Sequence, residues 1–183
     1  ARHIAKLSSK SSLLLLCDLQ EKFRSTIKYF PQIVETSNKL LQTCKILDVP
    51  YIVTEQYPKG RNRFSSSSSS VQRKKQSGLG RTVSELEIGD AKPFAKTLFS
   101  MCTPDVTAYM KEKAKGTFHH HTNENHEAIL DFDTAIICGI EAHACVLQTA
   151  IDLLSKNYRV YIVADAVSSR SLTDRYLKSS LIH

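Results

Sequence analysis

Apolar positions along this chain fall into short solid runs and longer periodic ones. Leu13–Cys17 is apolar without alternation, the pattern of a strand covered on both faces, as in parallel sheets; it stops at Asp18. From Pro31 to Leu47 the positions Ile33, Val34, Leu40, Leu41, Cys44 and Leu47 recur at helical spacing, and Pro31 suits a first helical turn, where its missing N–H costs nothing. Pro50 introduces a second strand, Tyr51–Thr54, which runs into the polar Glu55, Gln56 and Tyr57. Pro93–Lys96 reads as a third short strand, and Asp105–Lys115 as a helix after Thr103 and Pro104. Thr134–Cys138 is a fourth strand. After Gly139 a helix from His143 to Lys156 carries the stripe Val146, Leu147, Ala150, Leu153 and Leu154. Tyr158–Val163 makes a fifth strand, and Ser171 with Asp174 forms a capping box for a last helix. Strands alternating with helices predict an α/β fold: βαβ units, with helices on both faces of a parallel sheet.

Composition narrows the picture. A chain of 183 residues, 42% hydrophobic and 23% charged, is one domain with a core of its own, which excludes disorder along its whole length. No apolar run approaches the roughly 20 residues that span a bilayer, so no membrane partner is expected. The net charge of +7 suggests an anionic partner until it is located. Arg2, Lys6 and Lys10 bring three positive charges to the N-terminus, and Arg61, Arg63, Arg73, Lys74 and Lys75 bring five to residues 61–77, leaving the rest near −1. The folded body thus lacks a basic face, and nucleic-acid binding is not expected. Six consecutive serines flanked by cations cannot bury enough surface to order themselves, so residues 61–77 read as a disordered Ser/Lys/Arg-rich loop insertion. Residues 1–11 read as a disordered basic terminus, and 12–183 as the domain. The terminus fits a frayed cytoplasmic end better than the tail of a mitochondrial transit peptide. Cys17, Cys44, Cys102, Cys138 and Cys145 are odd in number and irregularly spaced, which suits free thiols of an intracellular protein. His119, His120, His121 and His126 sit in an unperiodic polar stretch without a scaffold to fix them as ligands, so no metal is expected.

Ligands of open parallel sheets bind beyond the carboxyl ends of the strands. By that rule one edge collects Asp18, Glu55 with Gln56, Lys96, the Gly139–Cys145 turn and Asp165. A carboxylate, an ammonium and a thiol together suit nucleophilic catalysis by cysteine. In a first helical turn Cys145 would meet unpaired N–H groups, Lys96 would favour its thiolate, and Asp18 would take its proton. Taken singly, each has an ordinary alternative: a helix cap, a surface lysine, a core cysteine.

The motifs LLLLCDLQEKF (Leu13–Phe23), VTEQYPKG (Val53–Gly60) with GLG (Gly78–Gly80), AKTLFSM (Ala95–Met101), CGIEAHACVLQTA (Cys138–Ala150) and VADAVSSRS (Val163–Ser171) resemble the isochorismatase-like cysteine hydrolase superfamily, and most closely the animal isochorismatase domain-containing proteins. The resemblance implies a three-layer α/β/α domain with a mainly parallel, Rossmann-like sheet. It implies Asp18 as general base, Lys96 as the lysine and Cys145 as the nucleophile. It also implies a cis peptide after Ile140 that turns the N–H groups of Glu141 and Cys145 into an oxyanion hole. Gln56, Tyr57 and Phe23 are the pocket candidates, although strand termination explains Gln56 and Tyr57 equally well. Nicotinamidases of the superfamily carry a D-x-H metal motif where this chain has Thr54, Glu55 and Gln56, so no metal or cofactor is expected. The implied chemistry is hydrolysis of a small amide, ester or related molecule through an acyl-thioester, by a chain that can form a homo-oligomer. The alternative is a fold with little or no turnover that serves as a protein-interaction module. Relatives continue through a further strand and helix after S-S-R-S, which this chain lacks, so strand five is expected to form an unprotected sheet edge.

Overall fold

Each solid apolar run becomes a strand of one five-stranded sheet in the computed structural model, which describes residues 7–59, 78–117 and 132–176. The basic terminus as far as residue 6, the loop 61–77, the histidines at 119–121 and 126, and everything after 176 lie outside the described residues. Strands β1 (Ser12–Cys17), β2 (Tyr51–Gln56), β3 (Phe94–Lys96), β4 (Thr134–Ile140) and β5 (Arg159–Ser168) are ordered β3-β2-β1-β4-β5, and every pairing is parallel. Central β1 is flanked by β2 and β4, and Leu13 to Leu16 are 0–1% exposed, which is why that run shows no alternation.

Alternate side chains of β1 feed two separate cores. Leu14 and Leu16 meet Phe30, Ile33, Val34, Leu41 and Cys44 of helix α1 (Phe30–Ile46) on one face. Leu13, Leu15 and Cys17 meet Val106 and Met110 of α2 (Pro104–Thr117), and Ala150 and Leu153 of α3 (Leu147–Leu154), on the other. The result is the expected three-layer α/β/α arrangement. A short helix α4 (Leu172–Tyr176) begins at the expected capping box: Ser171 Oγ accepts from the Asp174 N–H at 3.0 Å and donates to Asp174 Oδ2 at 2.6 Å.

Among the boundaries that differ from the sequence reading, two bear on the site. The helix expected from His143 opens instead with a π turn, Ala142–Val146, before α3 begins. Strand β5 runs on to Ser168, and its register with β4 jumps from Ile137↔Ile162 to Gly139↔Val167. The irregularity lets Ala164 and Asp165 stand in water while Ala166 to Ser168 re-enter the buried sheet. Asp165 is therefore exposed within the strand, not beyond its carboxyl end, which corrects the expectation that it joins the site.

Gly139 has φ 110°, and a Cβ there would lie 2.1 Å from the carbonyl oxygen of Cys17. Only glycine lets β4 approach β1 so closely just below the carboxyl edge. Gly139→Ala is expected to cost about 3 kcal/mol or more, or to yield insoluble protein, because backbone atoms cannot give way as a side chain could. A urea midpoint close to that of the parent would contradict this.

Candidate active site

The strand order reverses between β1 and β4, which opens a crevice at the carboxyl edge. Asp18 leaves the end of β1 with φ 50°, a left-handed conformation that aspartate tolerates better than most residues. Lys96 ends β3, and Cys145 sits in the π turn after β4. All three side chains converge.

Lys96 and Asp18 form an ion pair of 2.6 Å with side chains 0% and 1% exposed. Such a pair survives burial only if its remaining polar valences are filled. They are. Lys96 Nζ also donates to Gln56 Oε1 at 2.6 Å and to the carbonyls of Phe99 and Leu98 at 3.0 and 3.2 Å. The second carboxylate oxygen of Asp18 accepts from Thr54 Oγ at 2.7 Å. Burial is the largest influence on Lys96 and works against its charge. The neighbouring acidic groups Cys17, Asp18 and Cys145, with the hydrogen bond to Asp18, outweigh it and leave the pKa raised. Lys96 is thus a permanent cation at neutral pH.

Cys145 is 6% exposed, and its sulfur, that of Cys17 and a carboxylate oxygen of Asp18 all lie within 4.8 Å of one another. Cys17 Sγ–H donates to Asp18 Oδ2 at 3.5 Å. Burial first, then the hydrogen bond with Cys145 and the charge of Asp18, push the Cys17 thiol well above its ordinary range, so it rests protonated. These donor atoms could hold a thiophilic cation, but the Lys96 ammonium already supplies positive charge to the same carboxylate. Glu55 at the end of β2 accepts from the N–H and hydroxyl of Thr82.

The sequence reading missed several supporting residues. Thr149 Oγ donates to the Cys145 carbonyl at 2.6 Å and accepts from the Met101 N–H at 2.9 Å, which ties the thiol's turn to the segment after Lys96. Gln20 joins β1 to β2: its Oε1 accepts from the Gln56 N–H, and its Nε2 donates to the Gln56 and Gly80 carbonyls. Both lie within quoted motifs, the only sequence signal that touched them. The peptide between Ile140 and Glu141 is cis. Around it, Arg170 pairs with Glu141 at 3.1 Å, and His143 Nδ1 lies 3.0 Å from Ser169 Oγ, so the segment just after β5 braces this turn.

Of the pocket candidates, Gln56 bonds Lys96, and Tyr57 at the rim donates its hydroxyl to the Thr97 carbonyl at 2.7 Å. Phe23 packs with Leu16, Leu19 and Ile140 in the core on the α1 side, whereas Cys145 belongs to the other core. A cavity of about 210 Å³ lined by Met110, Phe132, Leu153 and Tyr158 opens at the opposite edge, where β4 and β5 begin, and no candidate catalytic residue reaches it. No helix among the described residues is long and apolar enough to cross a membrane.

Comparison with known proteins agrees with this fold. A family model described as isochorismatase domain matches residues 12–179. Isochorismatase domain-containing protein 2 of Xenopus laevis is 43% identical over 174 residues, covering 95% of this chain and 68% of the relative. Its counterpart in Danio rerio is 45% identical over 172 residues, covering 94% and 70%. The solved structure of MAR1 ribonuclease from Caenorhabditis elegans is 41% identical with a TM-score of 0.72, covering 96% of this chain and 74% of that one. An octameric hydrolase of unknown specificity from Escherichia coli, 16% identical with a TM-score of 0.72 over 100% of this chain and 76% of its own, shares the fold.

Two outcomes follow from the buried charges and thiols. Lys96→Met strands the Asp18 carboxylate and is expected to cost about 3–5 kcal/mol in urea unfolding, with Asp18→Asn in the same chain recovering part of the loss. A Lys96→Met chain as stable as the parent would refute a structural role for the pair. Burial also pushes the Cys44 and Cys138 thiols up to about 11 and about 12. Unfolded thiols ionise near 9 and unfolded lysine near 10.5, while the folded groups stay protonated to higher pH. Above pH 9 the folded chain therefore holds more protons, and the urea midpoint should fall as pH rises from 9 toward 12. A flat midpoint over that range would be inconsistent with these shifts.

Proposed function

The chain belongs to the isochorismatase family, and from that premise we propose that it is a cysteine hydrolase of small amides, esters or related carbonyl compounds. The observation that carries this reading is the meeting of Asp18, Lys96 and Cys145 at one buried edge, held by the Lys96–Asp18 pair. In this reading Asp18 takes the proton of Cys145 as the thiol approaches a substrate carbonyl. The fixed Lys96 cation offsets the resulting anion and keeps sulfur nucleophilic without itself giving up a proton. Attack on the carbonyl carbon moves charge to oxygen, which the N–H groups of Glu141 and Cys145 are proposed to receive. Collapse expels the amine or alcohol, which takes the proton held by Asp18, and leaves an acyl-thioester. Water, deprotonated by Asp18, then releases the acid and restores the thiol. Gln56 and Tyr57 are proposed to line the substrate's entry, and Thr54 to orient Asp18.

A second reading, cleavage of RNA, rests on the name of the 41% identical Caenorhabditis elegans structure. Phosphodiester cleavage would not pass through an acyl-thioester, which separates the two.

Incubation with a panel of small aryl esters and primary amides, followed by intact-mass measurement after acid quench, should trap an acyl adduct mapping to Cys145. Cys145→Ala should abolish the adduct and lower turnover at least about 10³-fold, and Asp18→Asn should lower it about 10²–10⁴-fold. RNA cleavage that persists in Cys145→Ala, with no adduct from any carbonyl substrate, would overturn the hydrolase reading.

A further inference from the structure

Cys17 is the buried thiol that the proposed hydrolysis does not use. It ends β1 directly before Asp18, pairs in register with Gly139, and is 0% exposed. Its sulfur lies within 4.8 Å of Cys145 Sγ, and its S–H points to the Asp18 carboxylate at 3.5 Å. We propose that Cys17 is a resolving thiol for Cys145, so that oxidation of the nucleophile by a hydroperoxide ends in a reversible Cys17–Cys145 disulfide. The inference rests on Cys145 being the activated thiolate of the reading above.

The chemistry balances with a hydroperoxide as the sole oxidant. The Cys145 thiolate attacks the terminal peroxide oxygen, the O–O bond breaks, and an alcohol or water leaves with the proton that Asp18 took from Cys145, giving Cys145 sulfenic acid and freeing Asp18. Cys17 sulfur then attacks Cys145 sulfur while its proton passes to Asp18. The S–O bond breaks, and the departing hydroxide takes that proton to leave as water. Two electrons pass from the two thiols to the peroxide. The oxidant needs access only to Cys145, which the rim exposes slightly, while Cys17 works from inside. A resting thiol that is neutral does not compete with Cys145 for substrate, yet becomes strongly nucleophilic when Asp18 takes its proton. The other described thiols are placed differently: Cys44 and Cys138 lie in the core on the α1 side, and Cys102 is half-buried after β3. The disulfide would remove the nucleophile and also shield it from irreversible oxidation to the sulfinic acid.

The test is peroxide titration of the full chain, followed by non-reducing peptide mapping and by alkylation of Cys145 with and without dithiothreitol. The proposal expects a Cys17–Cys145 cross-link, a loss of Cys145 alkylation of at least about 10-fold, and full recovery on reduction. In Cys17→Ser, the same dose should leave Cys145 as sulfinic acid that dithiothreitol does not rescue. Rapid alkylation of Cys145 in the untreated parent, with sulfinic acid and no cross-link after peroxide, would overturn the proposal and leave the hydrolase reading standing. Cys145 alkylation no faster than that of Cys44, with no cross-link after peroxide, would remove the activated nucleophile and overturn the proposal together with the hydrolase reading. The parent mapping decides the matter even if Cys17→Ser is insoluble.

Discussion

A fully buried ammonium bonded to a fully buried carboxylate sets the terms for the rest of this molecule. Neither charge is tolerable there alone, and the pair is tolerable only because Thr54, Gln56 and two backbone carbonyls complete its valences. Those partners come from β2 and from the segment after β3, so the ends of three neighbouring strands are held in one arrangement by polar bonds as well as by packing. The apolar cores on either face drive the sheet to form. The ion pair specifies how its carboxyl edge is finished.

That arrangement also explains why the thiol sits where it does. Gly139 lets β4 close onto β1, and the π turn that follows brings Cys145 beside Asp18 and Cys17. Thr149 then locks the turn to the segment after Lys96, and the segment just after β5 braces the other side through Ser169 and Arg170. A carboxylate, a cation and two sulfurs are thereby placed together at one buried edge. This proximity makes a hydrolytic reading and a redox reading of one site compatible. Both need a reactive sulfur at the edge of the crevice, and the second needs only that another sulfur stand behind it.

Family membership and fold are secure for this chain, which spans 63–70% of the length of several curated relatives it matches. At the carboxyl edge Glu55 is engaged by Thr82 and Asp18 by Lys96.

Much of the architecture was legible from local pattern. Solid apolar runs such as Leu13–Cys17 predicted doubly covered strands, and helical periodicity predicted α1 and α3, because burial on two faces or on one stripe leaves a direct trace in residue order. The rule that parallel strands present chemistry at their carboxyl ends selected Asp18, Lys96 and Cys145. The same rule misplaced Asp165, because a register jump inside β5 leaves no hydrophobic signature. Nor could local pattern show that Cys17 faces Cys145, that Thr54 holds Asp18, or that Phe23 turns into the core on the α1 side. Those facts depend on contacts between segments 30 to 130 residues apart in the chain, where side-chain direction is settled by packing rather than by neighbours in sequence. Residue order determined which elements form and which reactive groups the sheet edge receives. Only the folded chain decided which of those groups touch, because burying charge forces each one to find partners from strands distant in sequence.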